Sequence, residues 1–84
     1  MALLFETPYP ANKNGRRFHV ARLIATGGNA ELVKFCRRYG IPRWAIQDGV
    51  VHIGGGQIES ARLAGAKETS PQQLDKIIRS KRNG

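Results

Sequence analysis

Residues 29–40 read Asn-Ala-Glu-Leu-Val-Lys-Phe-Cys-Arg-Arg-Tyr-Gly. Leu32, Phe35, Cys36 and Tyr39 fall at i, i+3, i+4 and i+7, the apolar stripe of an amphipathic helix. Asn29 is a suitable N-cap, and Glu31 puts a negative charge in the first turn, where the helix dipole favours it. Gly40 stands at the C-terminal stop with Pro42 beyond it. The spacing therefore predicts a helix over about 30–39, apolar on one side, that needs a surface to cover. Lys34, Arg37 and Arg38 share its other face, again at i, i+3 and i+4. Basic residues in a last turn also suit the dipole, so part of that face has a structural explanation.

The flanking segments supply the surface. Phe18–Ala25 alternates as a strand, with Phe18, Val20 and Ile24 on one face and His19, Ala21 and Leu23 on the other. Ala2–Phe5 reads as a short buried strand that stops at Thr7-Pro8-Tyr9-Pro10. Asn12-Lys13-Asn14-Gly15 is turn chemistry, so a loop is expected between the two strands. Segment 41–53 carries two competing signals. Asp48-Gly49 marks a hairpin, and Arg43-Trp44-Ala45 allows a short helical turn. Val50–Ile53 is a strand under either.

Gly54-Gly55-Gly56 leads into a short helix from Gln57 to Ala64, stopped by Gly65, and Ala66–Thr69 makes a short strand. Ser70-Pro71-Gln72-Gln73 offers a serine N-cap, a proline at the first helical position and a glutamine placed for a capping box. The helix that follows buries Leu74, Ile77 and Ile78, and its basic end is expected to fray from about residue 79. The order strand, strand, helix, strand, helix, strand, helix predicts an α/β domain, with α+β as the variant. One sheet of three to four strands, partly parallel, carries about three helices.

With 84 residues the chain is read as a single domain, 1–84. A chain of this length buries only about 60–65% of its unfolded surface, enough for one core but not for a deep enclosed cavity as well. No apolar run approaches the roughly 20 residues that span a bilayer, so no membrane association is expected. Met1–Phe5 is too short and too uncharged for a signal peptide, and a cytosolic (cytoplasmic) location follows by default. The single cysteine, Cys36, rules out an internal disulfide and a cysteine metal cage.

Four further stretches are Arg16-Arg17-Phe18-His19, Glu31-Leu32, Gly40-Ile41-Pro42-Arg43-Trp44 and Gly65-Ala66-Lys67-Glu68. Together they resemble a family of short bacterial and phage proteins known only as a domain of unknown function. Its members open with a strand and a proline loop, then carry a basic pair with an aromatic and a His, a Gly-Ile/Leu-x-Arg with a Trp, and a Gly-Ala-x-Glu. Two places depart from that pattern: Phe5-Glu6-Thr7, where relatives are often more acidic, and Val50-Val51-His52, where they often read His-Tyr-Asp. The resemblance implies a fold, not an activity, and allows a phage setting.

Catalytic constellations are not assembled by the sequence. The tri-glycine before a helix invites an anion nest, but no Gly-Lys-Ser/Thr follows and the spacing is wrong for a dinucleotide site, so a connector is expected. His19 and His52 are the only histidines, both on expected strands, and a zinc site would need further ligands. Cys36 lies on the apolar stripe and is read as core. The glutamates show no spacing that pairs two carboxylates. The expectation is a non-catalytic protein with no cofactor and no metal.

Charge is the strongest signal. Fourteen Lys and Arg against six Asp and Glu give +8, with a pI near 10.6, which favours a polyanionic partner. The candidate binding residues are Arg16, Arg17, Arg22, Lys34, Arg37, Arg38, Arg43 and Trp44. Trp44 has two readings, a stacking platform for a base or, the first expectation, closure of the core. The partner expected is nucleic acid, held mainly through phosphates by a small accessory protein. The alternative is a phage- or mobile-element-type interaction or inhibitor protein whose basic face covers an acidic or nucleic-acid-binding surface of a host protein.

The helix reading predicts that Phe35→Ala costs about 3–5 kcal/mol, enough to unfold most of a domain of this size. Urea denaturation checks it, and a variant that unfolds with the parent protein contradicts the helix.

Overall fold

The computed structural model describes residues 3–83; Met1, Ala2 and Gly84, and the side chains of Arg82 and Asn83, lie outside the described residues. The elements are β1 (Leu3–Glu6), β2 (Tyr9–Lys13), β3 (Arg16–Ala25), α1 (Asn29–Arg38), a single 3₁₀ turn at Arg43–Ala45, β4 (Val51–Gly54), α2 (Gly56–Leu63), β5 (Lys67–Thr69) and α3 (Pro71–Asn83). The fold is mixed α and β, one sheet of five strands with three helices. The extra strand is β2, in the stretch expected to be a loop. Its Pro10 is tolerated because β2 is an end strand and needs its ladder bonds on one side only.

β3 organises the sheet. Leu23 pairs with both Phe5 and Val51, and Val20 with both Tyr9 and Gly54. β1 and β2 therefore run along one edge of β3, and β4 runs along the other. The β1 and β2 registers with β3 differ by one residue, from Phe5↔Leu23 to Tyr9↔Val20. Glu6, Thr7 and Pro8 thus face only Ala21 and Arg22, an interruption of the bulge type. At the far end the β2–β3 hairpin closes at Asn14 and Gly15, both with positive φ, the signature of a type I′ turn. β5 adds in parallel on the outer edge of β1.

Alternation along the strands then sorts the side chains onto two faces. Leu3, Phe5, Ala21, Leu23, Ala25, Val51 and Ile53 form one core with Leu32, Phe35 and Cys36 of α1 and Ile58 and Ala61 of α2. The predicted α1 stripe is the buried one, and Tyr39 packs against it with its ring centroid 4.8 Å from that of Phe35. The helix starts at Asn29 itself, preceded by Gly28, and the Asn29 side chain caps nothing. It is turned instead toward the Asp48–Gly49 turn, where its Oδ1 would stand 3.2 Å from a Gly49 Cβ.

On the opposite face α3 covers β1 and the end of β3. Its start follows the expected cap, with the Gln73 amide donating to Ser70 Oγ at 3.1 Å. Leu74 is fully buried. α3 continues helical to Asn83, through residues expected to fray, and Lys81 Nζ donates to the Ala25 carbonyl. Both signals in 41–53 are realised: the 3₁₀ turn at Arg43–Ala45, then a tight turn at Asp48-Gly49 closed by the Gln47–Val50 backbone pair at 2.9 and 3.0 Å.

Glu6 is the one buried charged residue among the described residues, 2% exposed. It lies at the β1–β2 break and accepts from the Arg22 backbone N–H at 2.7 Å. A side-chain oxygen thus stands where the interrupted strand offers no ladder carbonyl. The Arg22 guanidinium returns two more bonds to the same carboxylate, Nε and Nη2 each at 2.9 Å, and reaches Asp75 of α3 at 2.7 Å. These acids hold the Arg22 guanidinium well above its ordinary range for proton loss; its hydrogen bonds to Glu6 are the leading cause and partial burial works against it.

Removing one member of a buried pair strands the other. Arg22→Met is expected to cost roughly 3 kcal/mol, because it leaves the Glu6 carboxylate buried and half-paired. Equilibrium unfolding checks this, and a loss well under about 1 kcal/mol contradicts the role given to the pair.

Candidate nucleic-acid interface

The eight candidate residues fall into three places. Arg22 is in the interior network and is not available to a ligand without breaking it. Arg16 and Arg17 are exposed beside the hairpin turn. Lys34, Arg37 and Arg38 on α1 are exposed along one groove, and Arg43 and Trp44 are exposed on the 3₁₀ turn. Arg37 and Arg43 line one pocket with Val33, Cys36 and Ile41. The hairpin turn and the α1 end of β3 are separated by most of that strand, roughly 26 Å from Arg17 to Ala25 at about 3.3 Å per residue.

The acids explain why so many cations remain open. Arg22 holds Glu6 and Asp75; Arg62 holds Glu59 at 3.5 Å and Glu68 at 3.1 Å. Four of the six acidic residues are thus engaged by two arginines. Among the described residues Arg16, Arg17, Lys34, Arg37, Arg38 and Arg43 enter no ion pair. Arg38 lies over the Tyr39 ring at 5.7 Å. Glu31 is the one acid bordering this patch, half-buried in a groove that Lys34, Arg37, Arg38 and Tyr39 also line.

Trp44 overturns the first expectation for it. Its side chain is 78% exposed, while Ile41, Ala45 and Ile46 make the core contacts of this segment. A 3₁₀ turn of three residues buries only one side, and here Ala45 takes it. An indole in water beside Arg43, with Arg37 close by, is the chemical pair that takes up both a base and a phosphate.

The remaining candidates resolve plainly. His19 and His52 point to opposite sides of the sheet: His52 is paired with Arg22, and His19 is one position out of phase with that face. No group of three or more His, Cys, Asp or Glu side chains placed to hold a metal occurs among the described residues. Cys36 is buried, and burial pushes its thiol up from the ordinary 9.0. Gly54 sits in close approach, since a Cβ there would stand 3.3 Å from the His19 carbonyl and 3.4 Å from Val20 Cγ1.

Sequence reasoning missed the open part of the other sheet face, where Tyr9, Lys13, Arg16 and Phe18 sit together. The signal was present in Asn14-Gly15, a type I′ dipeptide that folds the alternating Tyr9-x-Ala11-x-Lys13 back onto Arg16-x-Phe18-x-Val20. No protein-family model, curated protein or solved structure matches this chain.

The raised Cys36 thiol has a chemical consequence. At pH 8 it is expected to react with an aromatic disulfide reagent roughly tenfold or more slowly in the folded protein than in denaturant, because folding withholds both thiolate and access. Equal rates in the two states would place Cys36 outside the core.

Proposed function

We propose that this protein is a small, non-catalytic nucleic-acid-binding accessory protein that holds phosphates through the α1 face and the adjoining 3₁₀ turn. The observation that carries the reading is the exposed set Lys34, Arg37, Arg38 and Arg43, which enter no ion pair among the described residues, with Trp44, 78% exposed, next to Arg43 on the 3₁₀ turn. Cations left open by the fold attract polyphosphate and release its counterions, and the indole offers a flat apolar surface to a base. Arg16 and Arg17 supply a second contact region at the hairpin.

A competing reading has its own observation. Leu63 at the end of α2 is 84% exposed, and neighbouring Ala64 lines the groove with Tyr39, Lys34 and Arg38. An apolar residue beside cations also fits an acidic protein surface, as an interaction or inhibitor protein of phage or mobile-element type would use. Capture of a host protein that survives nuclease treatment, with no binding to purified oligonucleotides, would favour this reading.

For nucleic acid, log affinity should fall linearly with log salt, by roughly 0.9 per contacted phosphate on duplex DNA and ~0.7 on a single strand. Replacing Lys34, Arg37 and Arg38 together by Gln should lower that slope by about two to three units and weaken all sequences alike. The same change should cost folding under ~0.5 kcal/mol per site. Absence of binding near 50 mM salt, or an unchanged slope, counts against the proposal.

A further inference from the structure

α3 covers only part of its sheet face. Leu74 and the Asp75–Arg22 contact lie over β1 and the second half of β3, leaving the rows toward the hairpin open. On those rows Tyr9 stands opposite Val20, Ala11 opposite Phe18 and Lys13 opposite Arg16, all on one face because directly paired residues share a face. Val20 pairs on its other side with Gly54, whose missing side chain leaves the Phe18 ring leaning over the gap: a Gly54 Cβ would stand 3.5 Å from Phe18 Cδ2.

The result is an open groove: the cavity here measures 680 Å³ and is lined by Phe18, Val20, His52, Gly54, Gly55 and Gln57. A second cavity against Lys13, Arg16 and Phe18 adjoins it through the shared Phe18. Tyr9, 44% exposed, is the diagonal neighbour of Phe18 across the strand pair, with side chains roughly 7–8 Å apart.

We infer that this open half-face is a groove for single-stranded nucleic acid, in which a base lies against Phe18 above Val20 and Gly54 while Lys13 and Arg16 hold the flanking phosphate. The inference rests on the nucleic-acid reading above and adds to it the kind of strand and a second contact surface. Charge complementarity selects the occupant. The acids of this face, Glu6 and Asp75, are both closed on Arg22, whereas Lys13 and Arg16 make no ion pair among the described residues. Aromatic rings set in an apolar floor beside open cations match an unstacked base with its phosphate. A duplex keeps its base faces stacked inside and can use only the cations.

The test compares a labelled dT oligonucleotide and a U oligonucleotide of about 12 nucleotides with a duplex of the same length, by fluorescence anisotropy at low salt. The variants are Phe18→Leu, which keeps an apolar side chain over Gly54, and Phe18→Ala, with melting temperatures recorded for both. The groove predicts a single-strand affinity roughly 5- to 100-fold lower for each variant, with duplex affinity unchanged. The ratio of dT to U binding tells whether DNA or RNA is preferred. If single strand and duplex both bind and Phe18→Leu changes neither, the groove is overturned while the α1 surface stands. Equal weakening of both ligands also overturns it, as does displacement of the single strand by polyglutamate to the same extent from the parent and Phe18→Leu. If no oligonucleotide binds, the groove and the function proposed above fall together.

Discussion

The contact between Glu6 and Arg22 stands at the only break in the long β1–β2 edge of the sheet. β3 carries a partner on each side, and on one side that partner is interrupted at Glu6, Thr7 and Pro8. An interruption leaves a backbone N–H without its ladder acceptor, a costly vacancy in a sheet interior. The Glu6 carboxylate fills it from the Arg22 amide and in the same stroke holds the Arg22 side chain, which reaches on to α3 through Asp75. One carboxylate therefore ties together the strand break, the central strand and the helix on the outer face. In hydrophobic terms α3 contributes little besides Leu74, Ile77 and Ile78, so the ion-paired link helps to set where it lies.

This arrangement also shapes the surface. Two arginines, Arg22 and Arg62, each hold two acids, and Arg62 lies over the Phe5 ring at 5.2 Å as it does so. Four of the six acidic residues are drawn into the seams between α3, β1, α2 and β5. What remains outside is a cation surplus, on α1, on the 3₁₀ turn and at the hairpin, and also along β5 and α3 at Lys67, Lys76, Arg79 and Lys81. The same chain would be far less suited to a polyanion if those acids were scattered over its face. Fold and charge distribution are thus one design: internal neutrality at the seams, external cation surplus at the exposed helix and hairpin.

Much of the fold was legible from residue pattern. The α1 stripe, the Ser70-Pro71 start of α3 and the alternation of β3 each rest on local periodicity or local capping, and each appears as expected. β2 was hidden because Pro8 and Pro10 read as a stop; only the pairing with β3, a long-range fact, lets an edge strand accept Pro10. The candidate site was legible as charge and not as arrangement. Arg22 looked like its neighbours Arg16 and Arg17, and nothing local shows that a carboxylate sixteen residues earlier would claim it. Trp44 is the reverse: a large aromatic after Gly-Ile-Pro reads as core, yet the smaller Ala45 and Ile46 fill that space and leave the indole in water.

The central claim is a division of the arginines into one that holds the fold and several that hold a ligand. NMR of the side-chain Nε–Hε groups and the Trp44 indole during titration with a short oligonucleotide tests it most directly, because each group reports separately. Saturable shifts are expected at Arg37, Arg38, Arg43 and Trp44, while Arg22, bound to Glu6 and Asp75, stays where it was. Shifts at Arg22 without shifts on α1, or no shift at any arginine, would contradict it.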